Sequence, residues 1–449
     1  MAIAVFSLFA PLAFSAEDVN DSDDMLLRSL EQPSVDISEP LSQTEMTAVT
    51  TLEQAFEIAD QSNREIEQAA IAVRQAEAAV REEQASYRPA VAVSADGSYS
   101  VPVTSSGNDS ASLDGGIDLS YTLLDFGRRE AAVNIASAEL EVSRLELQVV
   151  QQTVRLDIAT QYYDLQNAAE AVRIGQAAIA NSEQNLRDTQ LREQAGTGTR
   201  YDTLQAQTQL ADDQVTLLSA QNDQAIAQRS LAQLLGIGDS VEALSVEAIA
   251  QRPVWPLSLE ETLAQAYQTR AELSQQRLEQ TIQQNTARLA SAELSPELSL
   301  STGYDFSNSS VDTSDSTYSW ADGANISLDL SWTLYDGGAA TAQVEQANAA
   351  AEIAVSELAN QQDQIRLSVE TAYLSVQSAT EQIAAAEVGV VSAEEGLSLA
   401  QLRFQSGVGI QLEVLEAQSD LTDAQSTLAQ ATTAYNQSIV ELERAISGL

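Results

Sequence analysis

The side chains able to do chemistry in this sequence are almost all carboxylates. Asp and Glu number 66 against 21 basic residues, a net charge of −45; every base is Arg, and Lys, His and Cys do not occur. That composition excludes thiol nucleophiles, imidazole bases, lysine Schiff bases, Cys/His zinc sites and disulfides. The shortage of basic side chains argues equally against a nucleic-acid partner. Glu413 and Glu416 stand three apart and would share one face of a helix, where they could attract cations. No pair of carboxylates is placed for hydrolysis, and no Gly-rich phosphate loop opens a helix. Asp125-Phe126-Gly127 has no other kinase motif around it and its counterpart reads Asp336-Gly337-Gly338, so it is a strand-to-helix turn. The sequence thus offers no catalytic residue, no cofactor site and no metal centre. The acidity itself has two accounts, conduction that favours cations or adaptation to a saline exterior with a bias against Lys.

The elements that position these groups follow from an internal repeat. Arg88-Pro89 corresponds to Ser295-Pro296, an offset of 207, and Leu119-Ser120-Tyr121-Thr122-Leu123 to Leu330-Ser331-Trp332-Thr333-Leu334, an offset of 211. Leu191-Arg192 and Leu204-Gln205-Ala206-Gln207 pair with Leu402-Arg403 and Leu415-Glu416-Ala417-Gln418 in the same register. Residues 1–16 are apolar and end in a small-x-small pattern suited to signal peptidase, although no cationic side chain precedes it. An acidic leader without periodicity, expected to be disordered, spans 17–50. The first repeat covers 51–236, a connector 237–257 and the second repeat 258–449. Each repeat reads as helix, two strands, long helix, Gly turn near 196 or 407, and helix.

The period changes to two in four segments, about 90–102, 111–124, 297–307 and 323–334. One face carries Val91, Val93, Ile117, Leu119, Leu300, Leu328 and Leu330; the other carries Ser, Thr and the carboxylates Asp96, Asp118, Asp305 and Asp329. Aromatics fall near the ends, Tyr99, Tyr121, Tyr304 and Trp332, and the loops after the first strand of each pair are rich in Ser, Asn and Asp. A half-buried soluble hairpin would alternate in the same way, but the aromatics and one-sided polar loops favour a membrane-crossing barrel. The polar-face carboxylates would then either solvate a wet channel wall or select ions. Four strands cannot close a spanning barrel alone, so several copies must contribute.

Residues 127–194 hold no Pro and one internal Gly, enough for a single helix of about 100 Å. Val133, Leu140, Leu147 and Val154 form one seven-residue ladder; Ile135, Val142, Val149, Leu156 and Tyr163 form another, displaced by two positions and hence nearly opposite. Such a helix needs a neighbour on each side, as in the wall of a cylinder. A trimeric coiled-coil fibre or adhesin is the alternative, and it leaves the inserted strands without a role.

The opening Ser-Leu-Glu-Glu, the Pro before a strand, the Leu330 to Gly338 run and the paired Gly turns together resemble the TolC family of outer-membrane efflux proteins, over nearly all of 51–449. The resemblance implies a mostly α protomer with a transmembrane β-barrel, three copies building a 12-stranded barrel continued by a long helical tunnel in the periplasm. It implies a passive exit duct for tripartite efflux or type I secretion, set in outer-membrane lipid. Its implied partners are two further copies, a periplasmic adaptor and an inner-membrane transporter. In similar proteins the hairpin tips meet the adaptor; here they match Arg192 to Leu204 and Arg403 to Leu415, with Gly196, Gly198, Gly407 and Gly409 at or beside the turns. Acidic residues that ring the periplasmic entrance of relatives fall on Asp202, Glu413 and Glu416. The aromatic and basic positions that lock some relatives fall on Phe404 and Gly409, so that network lacks both its hydroxyl and its cation.

Overall fold

The computed structural model describes residues 51–101, 110–238, 244–311 and 319–448; the apolar N-terminal stretch and the acidic leader lie outside the described residues. Each repeat opens with two helices where the sequence pattern suggests one: α1 (Leu52–Ser62) and α2 (Arg64–Ala85), then α5 (Leu259–Thr269) and α6 (Ala271–Ala292). Neither Gly nor Pro makes the break. Asn63 is extended, and its side-chain oxygen accepts from the amides of Glu65 and Ile66, starting α2. Its Nδ2 donates to the Leu234 carbonyl at 2.7 Å while Ser62 Oγ donates to Leu235 at 2.6 Å. In the second repeat Thr269 Oγ1 reaches the Ile446 carbonyl at 2.7 Å and Arg270 reaches those of Arg444 and Ala445. The break therefore satisfies carbonyls that a helix C-terminus leaves open.

Strands β1 (Ala90–Ser100), β2 (Ser110–Leu124), β3 (Glu297–Val311) and β4 (Ser319–Ser331) form one antiparallel sheet in chain order, joining the two repeats through β2 and β3. Its register keeps like with like: Val93 faces Ile117, which faces Tyr304, and Asp96 faces Asp114. β4 begins and ends earlier than the alternation suggests. Its last partner is Glu297, directly after Pro296, so the ladder has no further residue to pair and Trp332 and Leu334 fall outside the strand.

The helices α3 (Arg128–Gln194) and α7 (Ala339–Gln405) run 67 residues each and turn back into α4 (Arg200–Leu234) and α8 (Gln411–Ala445), 35 residues each. Helix α3 is packed by α2, α4, α6 and α8, and both of its ladders are buried or half-buried. Helix α7 packs on α6 and α8. Its ladder through Val344, Ala351, Leu358 and Ile365 is covered, whereas Ile353, Leu367 and Leu374 stand 59%, 65% and 61% exposed. Two apolar clusters hold the helices together: Ile158, Leu165, Leu231 and Leu235 in one, Ile365, Val369, Tyr435 and Leu442 in the other.

Candidate functional site

The sheet has a polar and an apolar face, as period-two alternation requires. On the polar face Asp96 lies opposite Asp114, Asp118 opposite Gly303, Asp305 opposite Gly116 and Asp329 opposite Ser299. The carboxylates of Asp118 and Asp305 occupy the space a Cβ would take at Gly303 and Gly116. No basic residue occurs in any of the four strands. The face is uniformly negative, and Asp114 belongs to it although the sequence-derived site residues leave it out. The apolar face carries one carboxylate the alternation missed, Asp322, to which the Tyr304 hydroxyl donates at 2.5 Å. Tyr121 and Trp332 lie at the end of the sheet next to the long helices and Tyr99 toward the other end, while Tyr304 sits midway along β3. The Trp332 ring nitrogen donates to the Leu294 carbonyl at 3.0 Å.

Below the sheet, Asp125 and Asp336 start the long helices at equivalent positions. Burial opposes the charge on Asp125, but hydrogen bonds from the Arg129 amide and guanidinium and the Gly127 amide outweigh it and hold the carboxyl below its ordinary value. Asp336 is lowered by hydrogen bonds from the amides of Ala340 and Gly338. Gly127 and Gly338 take φ of 97° and 96°, a conformation that costs glycine nothing.

At the far end each long helix closes into a tight turn. The amides of Thr197 and Gly198 donate to the Arg192 carbonyl, and those of Val408 and Gly409 to Arg403, with Gly196 and Gly407 left-handed at φ of 73° and 76°. Gly198 lies so close to Arg192 that a Cβ would collide, and a Cβ at Gly409 would crowd Arg403 and the Phe404 amide. Asp202 completes a capping box with Thr199, its Oδ2 accepting from the Thr199 amide at 3.0 Å and hydroxyl at 2.8 Å. Glu413 accepts from Arg403 at 3.2 Å. Glu416 is exposed in a groove with Leu204, Leu412 and Leu415. The three carboxylates thus reach the same end of the molecule, two of them already engaged. A contact between the tips is absent from the sequence reading: Arg192 lies 4.1 Å from the centre of the Phe404 ring and donates to its carbonyl at 2.8 Å. Among the described residues no group of acidic side chains is arranged to hold a metal ion, and no helix is long and apolar enough to cross a membrane.

A strand sheet at one end of two 67-residue helices, with paired hairpins at the other, is matched by a family model described as outer membrane efflux protein over residues 56–237 and 262–448. The chain belongs to that family. Among its relatives, the pyoverdine export outer membrane protein OpmQ of Pseudomonas aeruginosa is 26% identical, with 79% of this chain and 74% of the relative covered. The outer membrane protein TolC of Escherichia coli is 25% identical over 88% of this chain and 82% of its own. The outer-membrane channel OprN superposes with a TM-score of 0.73 at 23% identity, covering 89% of this chain and 90% of that one. CusC gives 0.72 at 21%, covering 92% and 96%, so these structures share the fold. This efflux protein is a passive outer-membrane channel of the TolC family, and that membership implies a tripartite assembly.

Proposed function

We propose that three copies close into one duct, with twelve strands in the outer membrane and the paired hairpins forming the periplasmic end. The observation that carries this reading is the difference between α3 and α7. Helix α3 is flanked by α6 and α8 of the other repeat; among the described residues α7 has no comparable neighbours and keeps an apolar ladder in the open. Repeat symmetry supplies the missing pair, since α2 and α4 of a second copy would stand to α7 as α6 and α8 stand to α3. Helix α4 carries the stripe such a contact needs, Val215, Leu218 and Ile226, all exposed. The free edges of β1 and β4 are left to pair in the same sense, and closure removes both.

In that ring the apolar sheet face meets lipid. Strands of 11 to 15 residues, tilted as barrel strands are, span about 28 to 38 Å, enough for the hydrocarbon layer. The bore is lined by Asp96, Asp114, Asp118, Asp305 and Asp329. The tips from Arg192 to Leu204 and from Arg403 to Leu415 dock a periplasmic adaptor that connects to an inner-membrane transporter, and Asp202, Glu413 and Glu416 ring the entrance. Energy comes from the transporter, and the duct gives its cargo passage.

Detergent extraction should yield a trimer that conducts in planar bilayers. Leu328→Arg should block assembly, because a cation toward lipid costs about 2 to 4 kcal/mol at mid-bilayer, while Asn325→Arg, on the wet face, should assemble. A monomer that never conducts overturns the reading, and equal assembly of both variants overturns the assignment of faces.

A further inference from the structure

Among the described residues the apolar face of the sheet carries a single carboxylate, Asp322 of β4. It is held from one side, where the Tyr304 hydroxyl reaches diagonally from β3 and donates at 2.5 Å. Phe306 lies directly opposite Asp322 but lays its ring over Gly115 on the far side, so closely that a Cβ there would collide, and Asp322 is left exposed. Trp320 stands two places along β4 on the same face, 67% exposed. A carboxylate has about four acceptor positions, and the hydroxyl takes one of them.

The depth of this group follows from the strand. The run from Asp322 to Ser331, at the end of the sheet nearest the helices, is about 30 Å long and, at barrel tilt, about 23 Å high. That is close to the roughly 25 Å height of the apolar band of a membrane barrel. Asp322 and Trp320 thus fall at the rim away from the helices, level with lipid headgroups. A carboxylate facing lipid needs a counter-charge, and no basic residue in any of the four strands supplies one.

The chemistry of the surroundings selects the cation. Calcium takes six to eight oxygen ligands and magnesium six in a strict octahedron, so one carboxylate on an otherwise apolar face serves either poorly. An ammonium asks for less: one carboxylate to accept its N–H groups and aromatic faces to share its charge, Trp being the best of them. Trp320 and Tyr304 flank Asp322 in that way.

We infer that Asp322, held by Tyr304 and flanked by Trp320, is a seat for the ammonium headgroup of a membrane lipid at the outer rim of the barrel. The seat rests on the reading that the apolar face meets lipid. Because β4 is a free edge of the sheet, the lipid would lie beside the seam between copies in the proposed ring.

Full-length chain, extracted in detergent and stripped of lipid, is given phosphatidylethanolamine or phosphatidylglycerol with the same acyl chains, and retained lipid is counted by native mass spectrometry. The parent should hold several-fold more phosphatidylethanolamine. Asp322→Asn should lose that excess and Asp322→Glu should keep it. An equal excess in parent and Asp322→Asn overturns the seat, as does phosphatidylglycerol held at Asp322 only with magnesium, which would make the site a divalent bridge. Should Asp322→Asn fail to assemble, Trp320→Leu decides: the seat requires a reduced excess, and an unchanged one overturns it. Lipid that stays with the parent on extraction from the outer membrane, identified by mass, tells an ethanolamine phospholipid from a glycolipid whose phosphate carries an amine; lipid without an amine overturns the seat. Lipid preference is read on whatever assembly is extracted, whereas the duct reading stands on trimer formation and conduction, so the two fail separately.

Discussion

The two hairpins share a backbone and differ in what they bury between their helices. In the first, the residues buried near the tip are polar: Ser182, which donates across the hairpin to the Asp213 carboxylate, Asn185, which accepts from Gln411 of the other hairpin, Thr189, which bonds within α3 to the Leu186 carbonyl, and Thr203. At the matching positions the second has Ala393, Gly396, Ala400 and Val414, where Ala400, Val414 and Leu397 form a small apolar core backed by Phe404, Ala417 and Leu421. Burial of apolar surface is strong and undirected, whereas hydrogen bonds are directional and weak in net terms. The second hairpin is thus zipped by volume, while the first buries polar groups of which Ser182 bonds across to Asp213. One tertiary shape tolerates two chemistries because the register of the turns is the same.

Charge placed in the two seams should separate them most. Val414→Asp puts an unpaired carboxylate into the apolar core and should cost about 3 to 5 kcal/mol, lowering the unfolding midpoint or preventing assembly. Thr203→Asp should cost clearly less, because hydroxyls and amides line its seam; equal losses would erase the contrast. The turns themselves should respond alike. Gly196→Val and Gly407→Val each force a β-branched residue into the left-handed region at about 1 to 2 kcal/mol, and thermal melts that differ strongly would show the tips to be unlike in more than their seams.

A swap of opposite sign comes next. The Thr203 hydroxyl is buried without a partner, so Thr203→Val should be neutral or stabilising by up to about 1 kcal/mol, while Val414→Thr should lose about 1 kcal/mol or more. The smallest effect compares the helix starts. Asp125 and Asp336 both have folded values below the ordinary 3.8, so their contribution is complete above that value and is lost as pH falls through the depressed one. Midpoints measured from pH 5 down to 3 should fall less steeply in Asp125→Asn and Asp336→Asn than in the parent. Flattening should be larger for Asp125, which has a guanidinium partner where Asp336 has only amides; identical profiles would show that Arg129 adds nothing.

Much of this architecture is legible in the residues. Alternation assigns both faces of the sheet, and the unbroken 67-residue helices follow from the absence of Pro. The break at Asn63 is not legible, because hydrogen bonds to carbonyls about 170 positions away hold it and no local breaker marks it. The shortened end of β4 depends on where its partner strand starts, which alternation in one strand cannot show. Asp202 as a helix cap was readable from Thr199-x-x-Asp202. The Arg192 contact was not, since its partner is 212 positions away and only the repeat register brings the two ends together.

The open edges of β1 and β4 bear on inheritance as much as on shape. In the proposed ring of three, one copy with a damaged edge would spoil the whole barrel, because no other strand could cover the gap in lipid. A cell making equal amounts of intact and edge-damaged chain would then hold roughly one fully sound ring in eight if copies mix at random. Alleles that add Pro or charge to these edges should accordingly be dominant over the intact gene, whereas alleles that unfold the chain before it meets its partners should be recessive.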